Sequence, residues 1–271
     1  MNNNITKGYL YVATGAKYIA EAENSAKSLK KHLPNAETAL ITDSEISESV
    51  FDKIIMINKQ DGSDWKKGLA FKVNGLLNSP FEMTCFVDTD TYFTDETSEL
   101  FQILEFYDLL ICHSPNDISK ITLDGKKLKG YIPYNTGVIV FKKNDRIKKV
   151  FNAWKNLYEK NPDSYSGDQP AFMEALLNHD IKIYVLPPVY NFRFKTFNSF
   201  PPLKVKILHA RSANYSRIES LVNKHADKHR SWSPYWMKTR TKYRRFFWLK
   251  QLLLKTLSQS QFNAIKKRFK K

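Results

Sequence analysis

Short apolar runs alternate with amphipathic segments along most of this chain, and this alternation limits the possible folds more than any other feature. Runs typical of buried strands occur at residues 8–13, 39–42, 53–58, 83–87, 109–112, 133–141, 181–186 and 205–209. Segments with helical spacing occur at residues 17–32, 65–77, 98–107, 145–160 and 168–177. Strands and helices in this alternation predict an α/β fold, a mainly parallel central sheet with helices on both faces.

The chain is long enough for one large domain. It has 271 residues, of which 42% are hydrophobic, and this supports a sizeable core. Two stretches do not fit the alternation. Residues 114–132 are polar and predict a flexible loop beside the site, and residues 187–202 are too rich in proline and aromatic residues to predict regular structure.

The buried run at residues 83–87 ends abruptly in Asp88-Thr89-Asp90. Residues i and i+2 of a strand point the same way, so the carboxylates of Asp88 and Asp90 converge where the strand stops. Two uncompensated carboxylates repel each other and are costly to desolvate, and a divalent cation removes both costs. The pattern therefore predicts a metal site, with a helix cap or turn as the alternative. Thr14 and Asp43 follow other predicted strands, at the edge where such sheets bind ligands.

Cysteines and apolar runs indicate the compartment. Cys85 and Cys112 lie in strand-like apolar runs and are predicted to be buried, reduced thiols, which fits a reducing compartment. The N-terminal residues lack the apolar core of a signal peptide, and nowhere do about 18 apolar residues run together. We therefore expect a cytoplasmic protein that neither enters that export route nor spans a membrane.

The net charge of +16 is unevenly distributed. Residues 1–223 carry a net charge of +2, whereas residues 224–271 carry +14. This asymmetry predicts two parts, a nearly neutral domain at residues 1–223 and a basic, aromatic C-terminal segment at residues 224–271.

The C-terminal segment combines cations with aromatic side chains. Residues 228–271 contain fourteen Lys and Arg and no acidic residue, and residues 240–257 are a candidate helix. Cations suit anionic head groups and aromatic rings suit the membrane interface, so we expect peripheral association with the inner face of a membrane. A solvated or partner-binding tail is one alternative. Nucleic-acid binding is a further and less favoured one.

A set of short motifs follows in a fixed order along residues 8–215. They are Ala13-Thr14, Tyr18, Lys72, Asp88-Thr89-Asp90, Asn135-Thr136-Gly137-Val138, Asp168-Gln169 and His209. In this order and spacing the chain resembles GT-A glycosyltransferases of the glycogenin and bacterial lipopolysaccharide galactosyltransferase type, family 8 and its relatives. The resemblance implies a GT-A (Rossmann-like) fold and a Mn²⁺-dependent, retaining transfer of a sugar from a nucleotide diphosphate, usually UDP.

The metal ligands implied are Asp88, Asp90 and His209. A metal that bridges both phosphates stabilises the charge that develops on a pyrophosphate leaving group. Two hard oxygens and one imidazole suit Mn²⁺ better than Ca²⁺, and Mg²⁺ is the alternative cofactor. We prefer His209 to the other histidines because it ends an apolar strand, although a structural histidine remains the alternative.

The resemblance also implies a donor site. Tyr18 matches the aromatic residue that stacks on uracil, Lys72 matches a lysine that contacts the donor, and Asn135 and Gly137 match an Asn-Ser-Gly motif. The full set of expected donor-binding residues is Ala13, Thr14, Tyr18, Lys72, Asp88, Thr89, Asn135, Gly137 and Arg211. For Tyr18, Lys72 and the Asn135–Gly137 motif the structural alternatives are, in turn, a half-buried helix tyrosine, a solvated lysine and a plain turn.

Asp168 and Gln169 are expected beside the anomeric carbon and the acceptor as the catalytic residues, with a plain N-cap as the alternative for Asp168. The chain departs from the family pattern after His209. The usual Gly and Lys that hold the phosphates are replaced by Ala210-Arg211-Ser212. Arg211 can bind phosphate in a bidentate manner and is expected to substitute.

Together with the basic segment, the resemblance implies that residues 1–223 are a GT-A nucleotide-sugar transferase domain. We expect this domain to transfer a hexose from UDP-Gal or UDP-Glc to a glycan or glycolipid acceptor near a membrane. A sugar nucleotidyltransferase is one rival, and it is disfavoured because the turn after the first strand, at Thr14-Gly15, is too short and poor in glycine. The other rival is a non-catalytic basic adaptor that binds membrane or nucleic acid on the same fold.

Overall fold

A computed structural model describes residues 5–46, 49–57, 65–114, 122–123, 126–127, 132–160 and 168–237. The predicted loop at residues 114–132 and the candidate helix at residues 240–257 therefore lie largely or wholly outside the described residues. The α-helices in the described part are α1 (Gly15–His32), α2 (Trp65–Leu77), α3 (Glu99–Leu104), α4 (Asp145–Lys160), α5 (Asp168–Leu177) and α6 (Tyr215–Val222).

Strands occur before, between and after these helices. They are β1 (Lys7–Ala13), β2 (Thr38–Thr42), β3 (Lys53–Met56), β4 (Met83–Val87), β5 (Thr91–Phe93), β6 (Leu109–His113), β7 (Thr122–Leu123), β8 (Lys126–Lys127), β9 (Tyr134–Lys142), β10 (Ile183–Leu186), β11 (Phe192–Arg193), β12 (Asn198–Phe200), β13 (Ile207–His209) and β14 (Arg230–Trp232). Short 3₁₀ helices lie at Pro188–Tyr190 and Pro234–Met237.

Seven strands form the central sheet in the order β10-β6-β9-β4-β1-β2-β3. All neighbours are parallel except β9, which runs antiparallel to both β4 and β6. The predicted α/β architecture with a mainly parallel sheet is therefore confirmed. Because β9 runs in the opposite direction, its first residues lie at the same edge as the last residues of β4.

Helices cover both faces of this sheet. One apolar cluster packs α1 and α3 against one face, and the other packs α2, α4 and α5 against the opposite face. β4 is buried along its whole length, as its continuous apolar run predicts. Cys85 and Cys112 are buried and unpaired, which confirms the prediction of buried thiols, and burial raises the pKa of both.

The predicted strand at residues 205–209 does not join the central sheet. It is shorter, β13, and it lies in a small separate sheet between β11 and β5. Residues 187–202 form β11, β12 and a 3₁₀ turn, so the prediction that this stretch is irregular was wrong. Aromatic residues of this stretch supply core contacts, because Phe192 packs edge-on against Phe200 and Trp232.

The described chain continues past residue 223. β14 pairs antiparallel with β12, and Trp232 is buried and donates its indole N–H to the backbone oxygen of Phe194. The predicted division between residues 223 and 224 stays a prediction, because residues 238–271 lie outside the described residues. Among the described helices, none combines the length and the apolar character that crossing a membrane requires.

Candidate functional site

Asp88, Asp90 and His209 meet where β4 ends. The backbone N–H of Asp88 bonds to the oxygen of Gly137 at 2.8 Å, and the chain then turns into β5. β5 pairs with β13 so that Thr91 lies opposite His209. One ligand atom from each of the three residues lies within 4.8 Å of the others, so this triad can hold a metal ion.

The orientation of the His209 ring is fixed by two buried amides. Asn191 donates from Nδ2 to Asn135 Oδ1 at 2.8 Å, so its own Oδ1 faces His209 Nδ1 at 2.7 Å. His209 Nδ1 therefore donates to Asn191, and Nε2 is the ring nitrogen that faces the carboxylates. Nε2 lies 3.4 Å from Asp90 Oδ1 and 3.7 Å from Asp88 Oδ2.

The three candidate ligand atoms of Asp88, Asp90 and His209 fit a divalent cation. An imidazole nitrogen and two carboxylates that face one another are ligands that a divalent cation binds, and a metal ion at this point could bind all three. Burial opposes the charge on Asp90, but His209 and Arg211 outweigh burial and lower the pKa of Asp90 to about 2. Asp90 is therefore ionised at neutral pH and ready to ligate.

Gly137 makes this arrangement possible. A Cβ atom at Gly137 would lie 2.2 Å from His209 Cε1 and 2.9 Å from Asn135 Oδ1. Asn135 accepts the Gly137 N–H at 2.9 Å, while its buried Nδ2 has no hydrogen-bond partner among the described residues. Gly137 is one of the expected donor-binding residues, and in the structure its missing side chain leaves space for the His209 ring.

Lys72 is buried and contacts two carboxylates, so it is not a solvated lysine. Its Nζ lies 3.0 Å from Asp88 Oδ1 and 3.2 Å from Asp168 Oδ2, and it donates to the backbone oxygen of Thr136 at 2.8 Å. Burial lowers the pKa of Lys72, but the charges of Asp168 and Asp88 outweigh it and hold the pKa above its ordinary value. Lys72 therefore stays charged and links Asp88, a candidate metal ligand, to Asp168, the predicted catalytic carboxylate.

Asp168 begins α5 with its carboxylate turned towards the site. Its Oδ2 accepts from Thr136 Oγ1 at 2.8 Å as well as from Lys72, and its backbone oxygen accepts from the Trp154 indole. Gln169 follows in the first turn of α5 and is partly exposed. The two expected catalytic residues thus lie next to the residues that hold Asp88.

The first strand and helix form the other side of the site. Ala13 is buried at the end of β1, and Thr14 precedes α1 without a side-chain cap bond. Gly15 donates its N–H to Asp43 Oδ1 at 3.2 Å. Only Thr14 separates β1 from α1, and this leaves no room for the glycine-rich loop of a nucleotidyltransferase.

Tyr18 and Arg211 lie together at the exposed rim. Tyr18 is 44% exposed. The Nζ of Lys17 lies 5.6 Å from its ring centroid, and the guanidinium of Arg211 lies 5.7 Å from it. Arg211 forms a bidentate ion pair with Glu21. Thr89 also donates to Glu21, at 3.2 Å.

The sequence interpretation missed Asn191 and Glu21. Asn191 lies in the stretch that we expected to be irregular, and no periodic pattern marks it. Glu21 follows Tyr18 by one helical turn, and that spacing is the one sequence signal that could have indicated it.

Residues 83–217 match the family model of the nucleotide-diphospho-sugar transferases. This segment includes β4, the triad of Asp88, Asp90 and His209, and also Asn135, Gly137, Asp168 and Arg211. No curated protein sequence is significantly similar to the chain.

The solved structures that share the fold include the glycosyltransferase GlyE of Streptococcus pneumoniae TIGR4. The two chains are 15% identical, and they superpose with a TM-score of 0.55 over 82% of this chain and 60% of GlyE. The chain thus spans little more than half of GlyE, and at this identity the likeness concerns the fold alone. The shared fold is of the GT-A type, and the family match to residues 83–217 supports a nucleotide-diphospho-sugar transferase domain.

Proposed function

We propose that this protein transfers a hexose from a UDP-sugar, UDP-Gal or UDP-Glc, to a glycan or glycolipid acceptor, with retention of configuration at the anomeric carbon. The observation that carries this proposal is that Asp88, Asp90 and Nε2 of His209 meet beside the Lys72–Asp168 ion pair. A diphosphate that leaves the sugar would be stabilised by a metal ion at this site, and the adjacent, partly buried carboxylate of Asp168 would lie near the anomeric carbon.

Asp88, Asp90 and His209 would hold Mn²⁺, or Mg²⁺ as the alternative. When bound, the ion would act as a Lewis acid that stabilises negative charge on the diphosphate leaving group. The Tyr18 ring, exposed at the rim, offers a stacking surface for uracil, and Arg211 offers N–H donors to the phosphates. The orphaned Nδ2 of Asn135 offers a hydrogen bond to the donor.

Asp168 supplies a fixed negative charge near the anomeric carbon in this proposal. Lys72 and Thr136 hold its carboxylate, so the charge is in place before the sugar develops positive charge. Gln169, on the next position of α5, would orient the sugar or the acceptor hydroxyl.

Calorimetric titration with UDP, with and without Mn²⁺, tests the donor site. We expect UDP binding that requires Mn²⁺ and is lost in Asp88→Asn, while Asp95→Asn, a carboxylate that pairs with Lys204, binds UDP like the parent protein. Absence of UDP binding with Mn²⁺ would contradict the donor assignment. Incubation with UDP-Gal, UDP-Glc and an acceptor panel, followed by NMR of the anomeric proton, tests the sugar and the retention.

We also propose that the protein is cytoplasmic and associates peripherally with the inner face of a membrane through residues 228–271. The charge and aromatic content of this segment support the proposal. Tyr235, near the start of this segment, is 45% exposed. Its ring centroid lies 5.9 Å from that of Phe197, which lies outside the segment and is 59% exposed. Exposed aromatic rings beside a polycation suit an anionic lipid surface.

Sedimentation with phosphatidylglycerol vesicles tests this association. Replacement of Lys238, Arg240, Lys242, Arg244 and Arg245 by glutamine should release the full-length protein from these vesicles and leave UDP binding unchanged. Vesicle binding that is unaffected by the replacement would remove the membrane role. Equal binding to single-stranded DNA would favour the nucleic-acid alternative.

A further inference from the structure

Glu21 and Arg211 form an ion pair at the rim of the site. Glu21 lies on α1, and its Oε1 accepts from Arg211 Nε at 2.6 Å while its Oε2 accepts from Arg211 Nη2 at 2.9 Å. Glu21 also accepts the hydroxyl hydrogen bond of Thr89, the middle residue of the acidic triplet. The pair therefore joins α1 to the segment after β13 and to the metal-binding turn.

The opposite edge of the Arg211 guanidinium remains open. Nη1 lies 3.8 Å from Asp90 Oδ2, and the Arg211 side chain is 50% exposed. The guanidinium thus lies between the ring of Tyr18 and a metal ligand, with N–H groups that Glu21 does not use. Because Arg211 lies between Tyr18 and Asp90, its open edge would face a diphosphate that joined a base on Tyr18 to a metal ion held by Asp90.

The backbone before Arg211 is fixed as well. Ala210 has a φ of 142°, a left-handed conformation that normally favours glycine. Its N–H donates to the backbone oxygen of Asp90 at 3.0 Å, and Tyr215 donates to its carbonyl oxygen at 3.1 Å. These two bonds fix the backbone just before Arg211. Glu21 fixes the guanidinium at the far end of the Arg211 side chain, which otherwise has several freely rotating bonds.

We infer that Glu21 is a positioning residue that holds Arg211 in place to bind the diphosphate of the donor. This inference rests on the proposed function and assigns a role to a residue outside the motif set. Pre-ordering the guanidinium reduces the loss of side-chain freedom on binding, so Glu21 strengthens diphosphate binding without touching the ligand.

An alternative role for Glu21, competition with phosphate for Arg211, predicts the opposite effect on diphosphate binding. If Glu21 competed with phosphate for the arginine, its removal would tighten diphosphate binding. A positioning role predicts weaker binding, so the two differ in sign.

Calorimetric titration of the full chain with uridine, UMP and UDP in saturating Mn²⁺ tests the inference. Glu21→Ala should weaken UDP binding roughly tenfold, the size expected for loss of an ordered charge-assisted contact, and Glu21→Gln should weaken it less. Uridine binding should not change. Arg211→Lys should match Glu21→Ala, and the double variant should be no weaker than Arg211→Lys alone.

Glu37→Gln is the matched control, because Glu37 forms an exposed pair with Lys53 at 2.7 Å outside the site. Its UDP affinity should equal that of the parent. Tighter UDP binding in Glu21→Ala, unchanged UDP binding, or an equal loss of uridine binding would each overturn the positioning role. Failure of the proposed function is distinguishable, since the parent protein itself would then not bind UDP.

Discussion

His209 Nδ1 lies 2.7 Å from Asn191 Oδ1, and this contact decides which ring nitrogen faces Asp88 and Asp90. The amide of Asn191 cannot turn over without losing its bond to Asn135 Oδ1. An imidazole held in this way has a fixed tautomer and a stronger tendency to bind a metal through Nε2.

Asn191→Ala should therefore weaken Mn²⁺ binding by about 10- to 100-fold, the usual cost of losing the partner of a metal-binding histidine. Electron paramagnetic resonance of free Mn²⁺ measures the affinity. Asn223→Ala is the control, because Asn223 also bonds backbone groups, those of Val205, but does not contact His209. Equal Mn²⁺ affinity in the parent and Asn191→Ala would contradict this role.

Gly137→Ala should displace the His209 ring. The added Cβ would overlap the ring, so we expect loss of Mn²⁺ binding and a free energy of unfolding lowered by about 1–3 kcal/mol. In Gly75→Ala the new Cβ would lie 2.5 Å from Val12 Cγ2, a comparable overlap in the core. Chemical denaturation and Mn²⁺ titration of both variants separate the effect on packing from the effect on metal binding. Loss of Mn²⁺ binding in Gly75→Ala as well would contradict a specific effect of Gly137→Ala on His209.

Lys72→Met should leave the carboxylates of Asp88 and Asp168 without their shared cation. Breaking a buried pair by removing one partner costs about 3 kcal/mol or more, and we expect turnover to fall with the free energy of unfolding. Lys53→Met removes an exposed pair and should cost less than about 1 kcal/mol. Urea denaturation measures the free energy of unfolding of both variants. An effect of Lys72→Met as small as that of Lys53→Met would contradict the stabilising role of Lys72 between the two carboxylates.

Asp108 should make stability depend on pH. Burial raises its pKa, but hydrogen bonds from the Lys182 N–H and Asn144 and the charge of Arg146 outweigh burial, so the folded pKa lies below the ordinary value. A depressed pKa stabilises the fold at pH values above about 4, the pKa of an unfolded Asp, and this stability is lost as the pH falls through the folded pKa.

Urea denaturation between acidic and neutral pH, with Asp108→Asn as the comparison, measures this effect. The variant should be less stable than the parent by about 1–2 kcal/mol near pH 7, and the gap should close as the pH falls towards the folded pKa. A gap that is independent of pH would exclude ionisation of Asp108 as its cause.

Much of the fold could be predicted because periodic patterns are local. The predicted strand at residues 83–87 and the predicted helices at residues 65–77, 145–160 and 168–177 coincide with β4, α2, α4 and α5. Prediction failed at residues 187–202, where short strands are held by tertiary contacts with β13 and β14 instead of by their own pattern.

The sequence by itself determined that Asp88 and Asp90 directly follow a buried strand, because the apolar run at residues 83–87 stops at Asp88. Their carboxylates converge through the turn that Thr91 closes by donating its N–H to the backbone oxygen of Asp88 at 3.2 Å, and not through strand geometry. Tertiary structure alone decided what surrounds them. The antiparallel direction of β9 brings Asn135 and Gly137 to that edge, and a separate small sheet brings His209 opposite Thr91. Glu21 meets Arg211 from 190 positions away. Side-chain periodicity records only the preferences of neighbouring residues, whereas such long-range partners are chosen by how whole strands and helices pack.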